Sequence, residues 1–364
     1  MTGHGTGGLS AWSVAVPLFA AAVLIVKHFG LIETATSWGL ILCILSLGGA
    51  VFAAVHHSEV LALKLGEPFG SILLAVAVTV IEVALIVSIL VSETPGSASV
   101  ARDAVYATVM IVLNGVVGLC LICGGWRHRE QTFRIDGAAA ALGVLGTLAT
   151  LALILPNYTR AVHGPYYAPV QLIVIGVASL ILYVMFVFVQ TIRHRDYFLN
   201  ATGGEDPTHL APSGRLAGLS LVLLLLSLTA VILLAKAISK PIEGAILSAG
   251  LPQTFLGVVI AALVLLPEGI ASLRAALANQ LQSSINLALG SAIASIGLTI
   301  PIVAGASLLL ADPLVLGISA EHVVLLVLTL FAGVLTFGTG RTTVMQGAVH
   351  LVIFCVFLLL SAVP

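Results

Sequence analysis

The chain reads as long apolar runs separated by short breaks that carry charge, proline or glycine. Eleven such runs lie near residues 11–32, 38–63, 69–92, 103–124, 135–155, 168–192, 215–238, 254–277, 284–310, 320–338 and 343–363. Each is close to the about 20 apolar residues that carry a helix across the hydrocarbon core of a bilayer. Stretches such as Leu221–Leu226 are apolar at every position. A barrel strand would alternate polar and apolar residues instead, so helices are expected throughout. The fold class predicted is an all-α polytopic membrane protein.

Composition agrees with that pattern and adds exclusions. Hydrophobic residues make up 60% of the chain and charged residues 8%. Soluble domains carry about 25% charged residues, so a water-soluble core is ruled out. The formal net charge of −1 leaves no basic patch for nucleic acid. Cys120 and Cys123 form a lone CxxC while Cys43 and Cys355 stand apart, so no second pair completes a zinc site. No lysine or arginine precedes the first apolar run, which lacks the n-region of a signal peptide and reads as a retained helix.

Lysine and arginine placement predicts orientation. Lys64, Arg127, Arg129, Arg134, Arg193, Arg195, Arg215, Arg274 and Arg341 fall on one side, against Lys27, Arg102, Arg160, Lys236 and Lys240 on the other. The richer side is cytoplasmic by this rule, which places the N-terminus inside and the C-terminus outside.

A duplication organises the chain. A shift of 186 residues lays Phe69 on Phe255, Ala75 on Ala261, Val78 on Val264 and Glu82 on Glu268. The apolar matches are weak because any two membrane helices share them, but the glutamate match is informative. The expected parts are a first helix over 1–35, a five-helix repeat over 36–192, a polar cytoplasmic linker over 193–214 and a second five-helix repeat over 215–364. Five is odd, so the second copy is inverted, and transporters built this way hold their ion site at the midplane between repeats. Glu82 and Glu268 are expected to face each other there.

An acidic side chain at a helix centre costs about 2.5–3.5 kcal/mol on insertion scales, so two of them mark a function. The bland alternative for Glu82 is a protonated acid hydrogen-bonded to a neighbouring helix, and for Glu268 an ordinary proline kink. Pro267 and Gly269 flank Glu268 and are expected to disturb its helix and free carbonyls. Asn114, Asn286, Ser291 and Ser295 supply further oxygens, with Thr79 more readily explained by packing. This hard-oxygen set suits calcium or alkali ions. His56, His57, Glu59, Lys64 and Glu67 crowd the end of the second span, a candidate proton-sensing group, since histidine titrates near neutrality. A solvated interface cluster is the alternative. Arg341 reads as a gating partner or a snorkelling anchor. His350 reads as a packing histidine held by hydrogen bonds.

Three segments together resemble the ChaA-type calcium–sodium–potassium/proton antiporters of the calcium/cation antiporter superfamily. They are Leu65-Gly-Glu-Pro-Phe-Gly-Ser leading to Glu82, Pro267-Glu-Gly-Ile continuing to Asn286-Leu-Ala-Leu-Gly-Ser, and Gly338-Thr-Gly-Arg-Thr running on to His350. The resemblance implies an inner-membrane antiporter in which Glu82 and Glu268 carry cation or protons. It implies no resident cofactor; calcium, sodium or potassium and protons are cargo. The partners implied are the bilayer and these ions, with a homo-oligomer left open. Relatives often carry a long acidic loop between the repeats, whereas this linker has only Asp196, Glu205 and Asp206. A cation channel and an intramembrane protease remain as other function classes. The protease would need a compact aspartate dyad, whereas the two acids here are glutamates.

Overall fold

The computed structural model describes residues 9–34, 36–66, 73, 77, 79–84, 86, 97–199, 212–310 and 313–364. Among them, ten helices are long and apolar enough to cross a membrane. The chain is therefore a polytopic, all-α membrane protein. The remaining expected span, 69–92, falls mostly outside the described residues; within it 73, 77, 79–84 and 86 are described, and all are helical.

The chain divides into two compact units, one of residues 1–92 with 205–244 and one of 93–204 with 245–364. In the first, α1 (Ala11–His28) packs on α2 (Ser37–Leu65). Gly30, at φ +75°, ends the first helix four residues before its predicted limit at 32. Thr36 caps α2 by accepting the Gly39 N–H at 3.2 Å, which satisfies one of the donors a helix start leaves free. Residues from 214 onward form α7 (Gly214–Ser248), which runs ten residues beyond its predicted end at 238. Lys236, Lys240, Pro241 and Glu243 punctuate the sequence but do not stop the helix, because long lysine stems snorkel and one proline costs a single backbone bond.

The second unit holds α3 (Ser97–Met110), a π-helical segment Ile111–Val116 and α4 (Val117–His128), which together make one span. There follow α5 (Ile135–Ala149), extended by a π-helical turn Thr150–Ile154, and α6 (Pro169–Phe188). Its other half is α8 (Phe255–Leu277), α9 (Leu281–Leu310), α10 (Ala320–Phe337) and α11 (Val344–Ala362). Inside this unit α6 packs along α9, α11 along α4, and α3 along α8. Exchanging the three spans of its first half for the last three maps the α6–α9 pairing onto α11–α4.

The same exchange relates the two ends of the unit. At one end, β1 (Gln131–Thr132) pairs antiparallel with β2 (Arg341–Thr342). At the other, Leu316 N–H and Gly317 N–H both donate to Pro165 O at 3.0 and 3.1 Å, and Ile318 N–H donates to Leu153 O at 3.0 Å. Asn157 Nδ2 adds a bond to Ile318 O at 2.6 Å. Tyr167 donates its hydroxyl to Leu151 O at 2.5 Å, serving a carbonyl of the π-helical turn. Burial pushes that phenol up to about 12, so it stays a donor across the physiological range.

Lipid supplies no hydrophobic drive between helices, so close packing by small residues holds the bundle. A Cβ on Gly257 would lie 2.7 Å from the Asp103 backbone, and one on Gly297 would lie 2.7 Å from Tyr183 Cβ. The outward faces are apolar instead of polar, with Leu309, Val170, Val324 and Val352 exposed. Trp38 and Trp126 are exposed close to helix ends, where membrane proteins carry their aromatic belts.

Candidate functional site

In α8 the buried residues Gly257, Ala261, Val264, Glu268, Ser272 and Ala276 recur at three- and four-residue spacing, which makes one inward stripe. The opposite stripe, with Leu266 and Ile270 exposed, faces outward. Glu268 belongs to the inward set and is 7% exposed, although no soluble environment would favour a carboxylate there. The helix stays continuous through Pro267, so the predicted disturbance is confined to the missing N–H opposite the Leu263 carbonyl.

The neighbouring span fixes the depth of Glu268. Gly257 meets Asp103, Gly269 meets Val116 Cγ2 at 3.3 Å from its ideal Cβ, and Gly124 meets Ala276 O. The two spans thus run side by side in the same direction, and the π-helical segment Ile111–Val116 lies level with Glu268. Such segments insert one extra residue into a turn and concentrate at functional sites. The sequence contains no pattern that reveals this one.

Asn114 sits in that segment, fully buried, and its amide is turned toward α10 and α11. Nδ2 donates to Thr329 Oγ1 at 2.8 Å, and Oδ1 lies 3.0 Å from His350 Nδ1. His350 Nε2 is 3.0 Å from Thr336 Oγ1. His350 is thus a buried histidine held by hydrogen bonds, as its setting in the sequence suggests. Thr329 and Thr336 were not singled out from the sequence, since each is one hydroxyl in an apolar helix.

On α9, Ser284, Ser291, Ser295 and Thr299 fall within one narrow face when wound at 3.6 residues per turn. Ser284 lies beside Cys120 of α4, which turns this face toward the span that carries the π-helical segment. The hydroxyls of Ser291 and Thr299 are buried without a hydrogen-bond partner among the described residues. The α8–α9 hairpin turns at residues 278–280, and counting equal distances from it sets Ser291 close to the depth of Glu268.

Asn286 is placed differently. It lies near the start of α9, where Nδ2 donates to Phe198 O at 2.5 Å and Oδ1 accepts from Gln282 at 2.9 Å. Gln282 Oε1 in turn accepts the Arg134 N–H at 2.6 Å. Asn286 therefore ties the first residues of the linker to α9, away from the depth of Glu268. Phe198 is buried edge-on against Phe186, so the start of the 193–214 linker is docked rather than free.

In the first unit Glu82 is 2% exposed and Thr79 is also buried, both on the described helical stretch 79–84. His57 is fully buried and bonds Ser13 O of α1 through Nε2 at 2.8 Å. Glu59, two residues on, is exposed on another side of α2, so the structure does not bring these two together. Glu67 lies outside the described residues. Arg341 is exposed and meets the exposed Glu130 at 3.4 Å.

Residues 35–192 and 219–363 match the family described as sodium/calcium exchanger protein. The putative ionic transporter y4hA of Sinorhizobium fredii is 54% identical over 358 residues, which covers 97% of this chain and 96% of the relative. The sodium-potassium/proton antiporter ChaA of Escherichia coli is 32% identical over 323 residues, covering 88% and 87%. Among solved structures, native YfkE superposes with a TM-score of 0.74 at 17% identity, over 96% of this chain and 100% of that one. The H+/Ca2+ exchanger CAX gives 0.69 at 14% identity, over 95% and 87%. At such identities these two report the fold.

Proposed function

Because the chain belongs to the sodium/calcium exchanger protein family and is a multi-pass membrane antiporter, we propose that it exchanges calcium, and also sodium or potassium, for protons. The carriers in this reading are Glu82 and Glu268, one from each repeat. The supporting observation is Glu268 itself, a carboxylate on the buried stripe of α8 and level with the π-helical segment. Ser291 and Ser295 are the oxygens we assign beside it. Asn114 acts through its amide network, and Asn286 through its hold on the linker.

The mechanism follows from electrostatics. Two ionised carboxylates in a site of low effective dielectric repel, and desolvation disfavours both charges. A divalent cation relieves both penalties, and so do protons, so the two occupants compete. Titration then belongs to the pair rather than to either acid. An empty, doubly charged site resists the passage between inward- and outward-open states. Alternating access with either load links the two fluxes. Family relatives are transporters rather than enzymes, and the cargo ions replace any cofactor. We read it as an inner-membrane protein, a reading its bacterial relatives support, and the lysine and arginine count supports a cytoplasmic N-terminus.

The test uses purified protein in liposomes with an imposed pH gradient, supplied with calcium, sodium and potassium in separate runs. Cation flux should reverse when the gradient is reversed, and acid outside should weaken calcium binding competitively. Glu82→Gln and Glu268→Gln should each abolish exchange while the protein still elutes as a folded species. Near wild-type exchange by either variant removes the two-glutamate carrier.

A further inference from the structure

One face of the second unit carries a line of buried polar atoms that the exchange reading does not use beyond its first member. It starts at Glu268 and follows the inward stripe of α8 through Ser272 to Ala276, at spacings of four residues. The eight steps from Glu268 to Ala276 span about 12 Å at 1.5 Å per residue, which reaches nearly to the end of the helix. Ser272 is fully buried, and its Oγ has no hydrogen-bond partner among the described residues. At the end of the line, Gln131 is 2% exposed. Its Nε2 donates to Ala276 O at 2.9 Å and to Asn279 Oδ1 at 3.0 Å, while its Oε1 is buried without a hydrogen-bond partner among the described residues. Across the seam stands Gly124 of α4, where a Cβ would collide with Gln131 Oε1.

Buried polar atoms without partners are rare because each forfeits its solvation, and buried water is the usual remedy. A helix seam needs no hydroxyl for packing, and an alanine would fit in the place of Ser272. The oxygens on this line are neutral acceptors of the kind that solvate hard cations and hydronium. Glycine at 124 leaves the room that the glutamine side chain occupies at the end of this line.

We propose that the seam between α8 and α4 is a hydrated route from Glu268 to the membrane face that carries Gln131, with Ser272 as its middle step and Gln131 as its mouth. The ligands are water, hydronium and hard cations, held by neutral oxygens. The proposal rests on the reading of Glu268 as a carrier and adds the path by which its load reaches one side.

The test measures water access, which does not depend on turnover. Cys43, Cys120, Cys123 and Cys355 are replaced, exchange by this background is verified, and single cysteines are introduced at Ser272, Ala276 and Ile270. A charged methanethiosulfonate is applied from either side of sealed vesicles. Ser272→Cys and Ala276→Cys should react from the Gln131 side about ten-fold faster than Ile270→Cys, whose thiol faces hydrocarbon that solvates no ion. Calcium should slow the reaction at Ser272→Cys. Equal, slow labelling of all three, or labelling only from the side of Pro165 and Ile318, overturns the route. If Ser272→Cys does not fold, Ala276→Cys and Gln131→Cys give the same reading one turn further out. The two proposals fail separately. Exchange by Glu268→Gln sinks the carrier and leaves the labelling pattern standing, whereas absent labelling beside an inactive Glu268→Gln sinks the route alone.

Discussion

Asn114 Oδ1 lies 3.0 Å from His350 Nδ1, and an amide oxygen only accepts, so the proton of this contact belongs to the histidine. Neutral imidazole then accepts at Nε2, which takes the hydroxyl proton of Thr336. Asn114 Nδ2 donates onward to Thr329, whose hydroxyl lies 3.4 Å from Met110 Sδ. Every donor in this chain points the same way, and the π-helical segment is thereby tied to α10 and α11.

Removing one member of the chain should leave its neighbours buried and unpaired, at about 1–3 kcal/mol. His350→Phe and Asn114→Leu are each expected to lower the melting temperature in detergent. The double variant should be less destabilised than the sum of the two, because it removes donor and acceptor together. Additive losses would show that the residues do not act as one network.

Glycine substitutions should separate by what a new Cβ meets. Gly257→Ala drives a carbon against the backbone of Asp103 and Ala104, which has no rotamer to yield with. It should cost about 1–3 kcal/mol by overpacking and reduce the folded yield. Gly143→Ala meets nothing within 4 Å and should be neutral or stabilising by about 1 kcal/mol, since alanine favours helix. Fluorescence-detected size-exclusion after heating ranks the two.

Arg341→Gln should change little. Its contact with Glu130 at 3.4 Å joins two exposed side chains, and exposed pairs contribute about 0–1 kcal/mol. Exchange rates within about two-fold of wild type are expected on that ground. A large loss of exchange with intact folding would assign Arg341 to gating after all.

Sidedness is tested at two loops of the second unit. Thr339 adjoins the β1–β2 pair and His163 adjoins the Pro165 contacts, at opposite ends of the unit. With the charge-rich side inside, Thr339→Cys should label only from the cytoplasm and His163→Cys only from outside. The reverse pattern would invert the chain, and labelling of both from one side would break the alternation of spans.

Much of the helix plan is legible in the sequence because each span is a long run of one solvent preference. The ends are less so: α7 passes Lys240 and Pro241, since a membrane helix tolerates charge near the interface. The acids stand out for the same reason, as Glu82 and Glu268 lie in apolar stretches of sequence. What could not be read was direction. Asn114 and Asn286 look alike in sequence, yet one turns to α10 and α11 and the other to the linker. Ser272 carried a usable signal, four residues after Glu268 and so on the same helix face. The π-helical segment carried none, because an extra residue per turn leaves an apolar run unchanged.

The β1–β2 pairing also bears on how the chain is made. Gln131 meets Thr342, a residue synthesised 211 positions later. Until then the first half of the second unit is inserted without the strand, the loop partner at Ile318 or the helix α11 that packs on α4. Contacts this distant in sequence close late. Biogenesis therefore has an intermediate in which half of an interlocked unit waits in the bilayer, and loss of α11 would strand the chain in that state.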